Sequence, residues 1–217
     1  MTGRIAWISL TPVKATALQH VDEVDLLESG PKGDRRFYFV TEAGRLVSDK
    51  DWGQLQLVRS EYDEPTDELT FRFADGDVVS ARVERGDIVA TTFHKQSRDA
   101  RLVVGPWSEA ISSRMGQPVR LVEPELTAPD RGRGGAATLL STGSLAALAK
   151  VLGVEQMDRR RFRMNFGIEG LDAHREDDWR GRRVRIGEAV VIPQGNVGRC
   201  AITTQNPDSG VVDLDTL

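Results

Sequence analysis

The stretch ELTFRFADGDVVSARV, residues 68–83, admits few folds. Leu69, Phe71 and Phe73 alternate with polar residues, Asp75-Gly76 supplies the positive φ of a tight turn, and Val79, Ala81 and Val83 alternate back. A period of two on both sides of such a turn predicts a β-hairpin with one apolar face. RRFYFVTEAGRLVSD reads as a second hairpin, with Phe37, Phe39 and Val40 as strand formers and Glu42-Ala43-Gly44 as the turn before Leu46 and Val47. RIAWISL, Arg4 to Leu10, reads as a further strand, and RVRIGEAVVIPQG as two short ones around Gly187. An apolar content of 39% in 217 residues is enough to cover these faces with a core. The expected fold is mainly β.

Two segments carry helical spacing instead. In GPWSEAISSRMG, Trp107, Ile111 and Met115 fall four apart, with Pro106 suited to the first turn and Gly116 to the stop. In STGSLAALAKVLG, Leu145, Leu148, Ala149 and Leu152 form an apolar stripe that Ser141 or Thr142 can cap and Gly153 can end. TAPDRGRGGAAT between them buries little apolar area and reads as a surface loop that can act as a lid. NPDSG, residues 206–210, reads as the last turn.

Several chemistries are excluded by pattern. There is no G-x-S-x-G elbow, no Walker or Rossmann glycine motif, and no zinc spacing around His20, His94, His174 or the single cysteine, Cys200. The histidines read as ordinary polar residues. With 29 basic against 33 acidic residues the net charge is −4, so no global positive field draws the chain to nucleic acid or to an anionic membrane surface. One cysteine forms no internal disulfide, and no leader or apolar run of about 20 residues is present, so a soluble, cytoplasmic setting is expected. Cys200 itself is open to three readings: a small buried hydrophobe, a nucleophile, or a ligand for a soft metal.

Anion-binding parts are dispersed along the chain: Lys14 in TPVK, Arg35 in GPKGDRRF, Ser141 and Thr142 at a helix start, and Arg163 and Asn165 in RRRFRMNF. Free N–H groups at a helix N-terminus and the planar arginine fork both suit a phosphate. Arg159 to Arg161 read as a solvated face, whereas Arg163 is expected to open a strand in apolar surroundings where its charge needs a partner.

Taken in order, PVKATAL, GPKGDRRFYFVTEAGRLVS, LLSTGSLAAL, RFRMNFGIEGLDAHREDDWRGRRVRIG and GRCAITTQNPDSG resemble the MOSC family, proteins similar to the molybdenum cofactor sulfurase C-terminal domain. The resemblance spans nearly the whole chain and is nearest to the branch of the amidoxime-reducing component and its bacterial relatives. It implies a β-rich N-terminal MOSC-associated domain at residues 1–93 and a MOSC β-barrel domain at 94–217, with the site at their junction. It implies a molybdenum cofactor (Mo-molybdopterin) with Cys200 as thiolate ligand, held by Lys14, Arg35, Ser141, Thr142, Arg163 and Asn165. Arg199 would favour the thiolate, and Thr203 and Thr204 would either donate hydrogen bonds near the metal or serve as β-branched strand residues. Asp177, in HREDDW, is a candidate proton donor beside bound water, though a turn-capping role suits it better. Ala15 stands where the family often places a serine. The implied reaction is reduction of N-hydroxylated small molecules with electrons from a separate protein, since one cysteine cannot hold an iron–sulfur cluster. The rival readings are a persulfide sulfur carrier and a cofactor carrier without turnover.

Overall fold

The computed structural model describes residues 2–93, 96–125 and 137–217. His94 and the glycine- and arginine-rich segment from 127 to 136, read from sequence as a lid, lie outside the described residues. Among the described residues strands predominate and there are two α-helices, as the alternating patterns require.

The FYFV run is the keel. Tyr38–Thr41 pairs antiparallel with Leu46–Val47 on one side and with Val119–Pro124 on the other, and the sheet continues through Gln96–Val104 to Glu84–Phe93. Phe37, Tyr38, Phe39 and Val40 are all fully buried, because each face of the strand meets a different core. Phe37 and Phe39 face a cluster with Phe71, Trp107, Ile111 and Leu121, while Tyr38 and Val40 pack with Leu46, Phe93 and Val122. A strand covered on both sides loses the polar half of its alternation, which is why this run is continuously apolar.

The hairpin Glu68–Arg72/Val78–Arg82 forms with Arg59–Asp63 a three-stranded sheet, and its inward residues Leu69, Phe71 and Phe73 join the larger core. Helix α1, Trp107–Met115, ends at Gly116 in the left-handed conformation and seats Trp107 there, with the indole N–H donating to the Leu69 carbonyl at 2.9 Å. Helix α2, Thr142–Leu152, is capped by the Ser141 hydroxyl, which accepts from the Ser144 N–H, and ends at left-handed Gly153.

A barrel was expected, yet no sheet closes among the described residues. The edge strands Leu46–Val47 and Glu84–Phe93 of the five-stranded sheet meet only through the isolated bridge Arg45–Thr92. A two-residue edge strand offers too few ladder bonds to seal a cylinder, so the sheet curls and stays open.

The first strand, Arg4–Leu10, does not join that sheet. It pairs antiparallel with Phe166–Glu169 and with Gln19–Val21, and Leu139–Ser141 adds in parallel beyond Phe166–Glu169. The N-terminal strand is thereby built into the C-terminal part of the molecule. Arg163 does not open a strand as expected: it sits at φ 53° after the 3-10 turn Arg159–Phe162, and the strand starts at Phe166. The arginine run is not a solvated face either, since Arg161 is buried and paired with Asp213 at 2.7 Å, and Arg159 lies over the Trp7 ring.

At the far end of the chain the 206–210 turn rests backbone against backbone on the 3-10 turn Gly53–Leu57. A Cβ on Gly210 would lie 2.4 Å from the Gly53 carbonyl, at a φ of +71°. Gly210→Ala combines that overlap with a strained φ and is expected to lower stability by about 2 kcal/mol, read by urea unfolding; an unchanged midpoint would contradict the close approach.

Candidate functional site

The site begins with backbone pairing between two loops. The Arg35 N–H donates to the Thr11 carbonyl at 2.6 Å, Phe37 N–H to Pro12 at 2.9 Å, and Lys14 N–H to Phe37 at 2.8 Å. These bonds set Lys14 and Arg35 side by side. A third segment arrives from residue 163 onward: Arg35 Nη2 donates to the Arg163 carbonyl at 2.9 Å, and Arg163 Nη2 donates to the Thr16 carbonyl at 2.6 Å.

Asn165 locks the three together. Its Nδ2 donates to the Ser9 carbonyl at 3.1 Å and to Asp34 Oδ2 at 2.9 Å, while its Oδ1 accepts from the Thr138 N–H and hydroxyl at 3.2 and 3.1 Å. Asp34 in turn accepts from the Thr11 N–H at 3.0 Å and from the Arg35 guanidinium. Both Asn165 and Asp34 are buried, and every hydrogen-bonding site of the Asn165 amide is used. This asparagine therefore shapes the site; its side chain is not available to a ligand.

Around this frame lies a cavity of about 720 Å³, lined among others by Lys14, Arg35, Arg163, Arg199, Cys200 and Thr203. Its described wall carries seven lysine or arginine residues, with Arg45, Lys50 and Arg161 added, against Asp49 and Asp51. A chain of net charge −4 thus concentrates positive charge in one place. Three lining residues, Ala15, Arg35 and Arg163, hold left-handed backbone with φ of 74°, 51° and 53° without being glycine. Strain of this kind persists only where the surroundings enforce it, and it collects at functional sites.

Cys200 is exposed and caps the 3-10 turn Ala201–Thr204. The Thr203 hydroxyl donates to the Cys200 carbonyl at 2.9 Å, and the Thr204 hydroxyl to the Ala201 carbonyl at 2.7 Å. These bonds help to hold the turn, the Thr203 hydroxyl also meets that of Thr216 at 2.5 Å, and neither Thr203 nor Thr204 lies in a strand. Arg199 donates to the Thr216 carbonyl. The segment is anchored by Arg161, whose Nη1 donates to the Gln205 carbonyl at 2.8 Å, and by the buried Gln205 side chain, which accepts from Gln56 at 2.7 Å and donates to the Asp49 carbonyl at 3.0 Å.

The remaining expected site residues lie elsewhere. Ser141 is fully buried as the α2 cap, Thr142 faces a separate cavity beside Trp7, and Asp177 is exposed in the turn Arg175–Trp179. The α2 N-terminus already holds an anion of the chain's own: Glu176 Oε1 accepts from the Ser141 N–H at 2.9 Å and from the Ser144 hydroxyl at 2.7 Å. That carboxylate takes the place expected for a phosphate. Arg45, Asp49, Arg161 and Glu176 were missed by sequence reasoning. For Arg161 a signal existed, since Phe162 and Met164 interrupt the charge run; for Asp49 none did.

The strands thus frame a cationic cavity with a thiol among its lining residues. Residues 2–114 match the MOSC N-terminal beta barrel domain and residues 130–216 the MOSC domain, so the chain belongs to the MOSC family. It is similar to the mitochondrial amidoxime-reducing component 1 of Xenopus laevis, 27% identical over 99% of this chain and 70% of the relative. The human protein of the same name is 26% identical over 99% of this chain and 71% of its own. The molybdenum cofactor sulfurase of Oryza sativa subsp. japonica is 39% identical over 26% of this chain and 7% of the relative.

Burial opposes ionisation of Glu176, but the Ser141 N–H and Ser144 hydroxyl prevail and hold its carboxyl below the usual glutamate range. A lowered value means stability that is present above the ordinary range and lost as pH falls through the lowered one. Glu176→Gln is expected to cost about 0.5–1 kcal/mol at neutral pH, the scale of a half-exposed charged cap, with the difference shrinking below pH about 4. Urea unfolding at both pH values checks it; a gap that widens in acid would refute the assignment.

Proposed function

We propose that the chain is a molybdenum-cofactor-dependent reductase of N-hydroxylated small molecules such as amidoximes, fed by electrons from a separate protein. The observation that carries this reading is the exposed Cys200 thiol on the rim of the cavity that Lys14, Arg35 and Arg163 line. The lining residues suit the group. A thiolate is a soft ligand fitted to molybdenum, and the guanidinium and ammonium groups match a pterin phosphate. The volume falls in the range of cofactor pockets.

When bound, the cofactor supplies a two-electron redox centre able to remove oxygen from an N–OH group. The chain's own residues do the rest. Cys200 would offer its sulfur from a turn held rigid by Thr203 and Gln205, and Lys14, Arg35 and Arg163 would grip the anionic end. Reduction of R–NHOH to R–NH₂ and water takes up two electrons and two protons. The electrons come from outside, because a single cysteine provides no cluster of this chain's own. Asp177 is not among the residues that line the cavity, and in this reading the protons come from water. A cytoplasmic, reducing setting suits the unpaired thiol. A sulfur-carrying persulfide at Cys200 would use the same exposed thiol, but it has no use for the cationic wall.

In protein from a host that makes the cofactor, Cys200→Ser is expected to lose at least about tenfold in molybdenum content and in benzamidoxime reduction, with an unchanged circular dichroism spectrum. Full metal content and full turnover in that variant would overturn the ligand role. Arg163→Ala is expected to shed pterin during gel filtration, and undiminished pterin content would remove Arg163 from the cofactor grip.

A further inference from the structure

Asp49 is the cavity residue that a grip on an anion does not use. It is 1% exposed, and neither carboxylate oxygen has a hydrogen-bond partner. Asp51, two residues on, shows what a satisfied carboxylate looks like in the same loop: it accepts from the Ser48 N–H at 2.9 Å and pairs with Arg45 at 2.7 Å. The Asp49 backbone, meanwhile, is fastened through Gln205 to the segment that carries Cys200. The chain thus holds a buried, bare carboxylate in the wall of the cavity where the thiol stands.

A buried carboxylate without donors is costly, and native structures keep such groups mainly where a ligand completes them. Burial pushes its carboxyl above the usual aspartate range, against the pull of Arg163 and Lys14, and neither of those two side chains donates a hydrogen bond to it. What two oxygens of one carboxylate lack is a pair of donors on a common plane. An anion cannot supply them, and a simple ammonium has no planar edge.

We propose that Asp49 is a ligand-recognition residue that accepts paired hydrogen bonds from two coplanar donors of a group bound in the Cys200 cavity. This rests on the proposed function, which offers two sources of that chemistry: the ring N–H and 2-amino N–H of a pterin's aminopyrimidinone edge, and the amino N–H and hydroxyl O–H of an amidoxime.

The test uses the full chain free of cofactor, with Asp49→Asn and Asp49→Ala beside it, titrated calorimetrically with neopterin, benzamidoxime and inorganic phosphate. Asn keeps the shape but replaces one acceptor by a donor. Both variants are expected to bind at least about tenfold more weakly to one of the two donor-bearing probes, with phosphate affinity kept or raised. Loss confined to neopterin assigns the edge to the cofactor, and loss confined to benzamidoxime assigns it to the substrate. Because the bare carboxylate burdens the empty protein, Asp49→Asn is also expected to melt above the unsubstituted chain. Equal affinities in all three proteins, absence of binding to both donor-bearing probes, or a lowered melting point would overturn the inference. If phosphate still binds in that event, the cofactor reading survives; if phosphate binds nowhere, both fall.

Discussion

One amide side chain organises the molecule. Asn165 satisfies all four of its hydrogen-bonding positions inside the protein, and in doing so joins the first strand, the Asp34–Arg35 pair and Thr138. Inside a low-dielectric interior such a network is stable only when it is complete, which makes its geometry all-or-none. Arg35 is steered by Asp34, Arg163 is two residues from Asn165, and Lys14 is paired through the backbone to the segment that follows Arg35. The cationic wall is therefore a by-product of one satisfied polar centre, and the left-handed backbones at Ala15, Arg35 and Arg163 are the strain it contains.

The cavity also resolves the tension between overall charge and local need. A net charge of −4 gives the surface no general affinity for anions, and yet the described wall of this cavity is strongly cationic. Some of that charge is tied down: Arg161 by Asp213, Arg45 by Asp51, Arg35 by Asp34. Pairing of this sort orders the guanidinium groups before a ligand arrives, so less rotamer freedom remains to be lost on binding.

What was legible in the sequence was local. The alternation of Leu69, Phe71 and Phe73 and the glycine after Asp75 wrote one hairpin plainly; Trp107, Ile111 and Gly116 wrote α1 with its stop. The ordered motifs also pointed to the family, and through it to Lys14, Arg35, Arg163 and Cys200, which do line one cavity. The misses share a cause. Asn165 reaches Ser9 and Asp34 across 156 and 131 positions, and no window of sequence reveals that its amide is consumed by such bonds. Ser141 looked like part of a phosphate cradle because a helix start is an anion site, but the anion turned out to be Glu176, 35 residues away. Arg161 belonged to a charge run whose burial depends on Asp213.

The pairing of Arg4–Leu10 with Phe166–Glu169 carries a consequence in time. Its partners are separated by as many as 165 positions, so although Gln19–Val21 can pair with it early, the other edge of the strand that leads into Thr11 and Lys14 waits for a distant segment. The cleft beside Cys200 is consequently a late product of biogenesis. Any prosthetic group it takes finds its complete cleft only after the segment that carries Cys200 has been made.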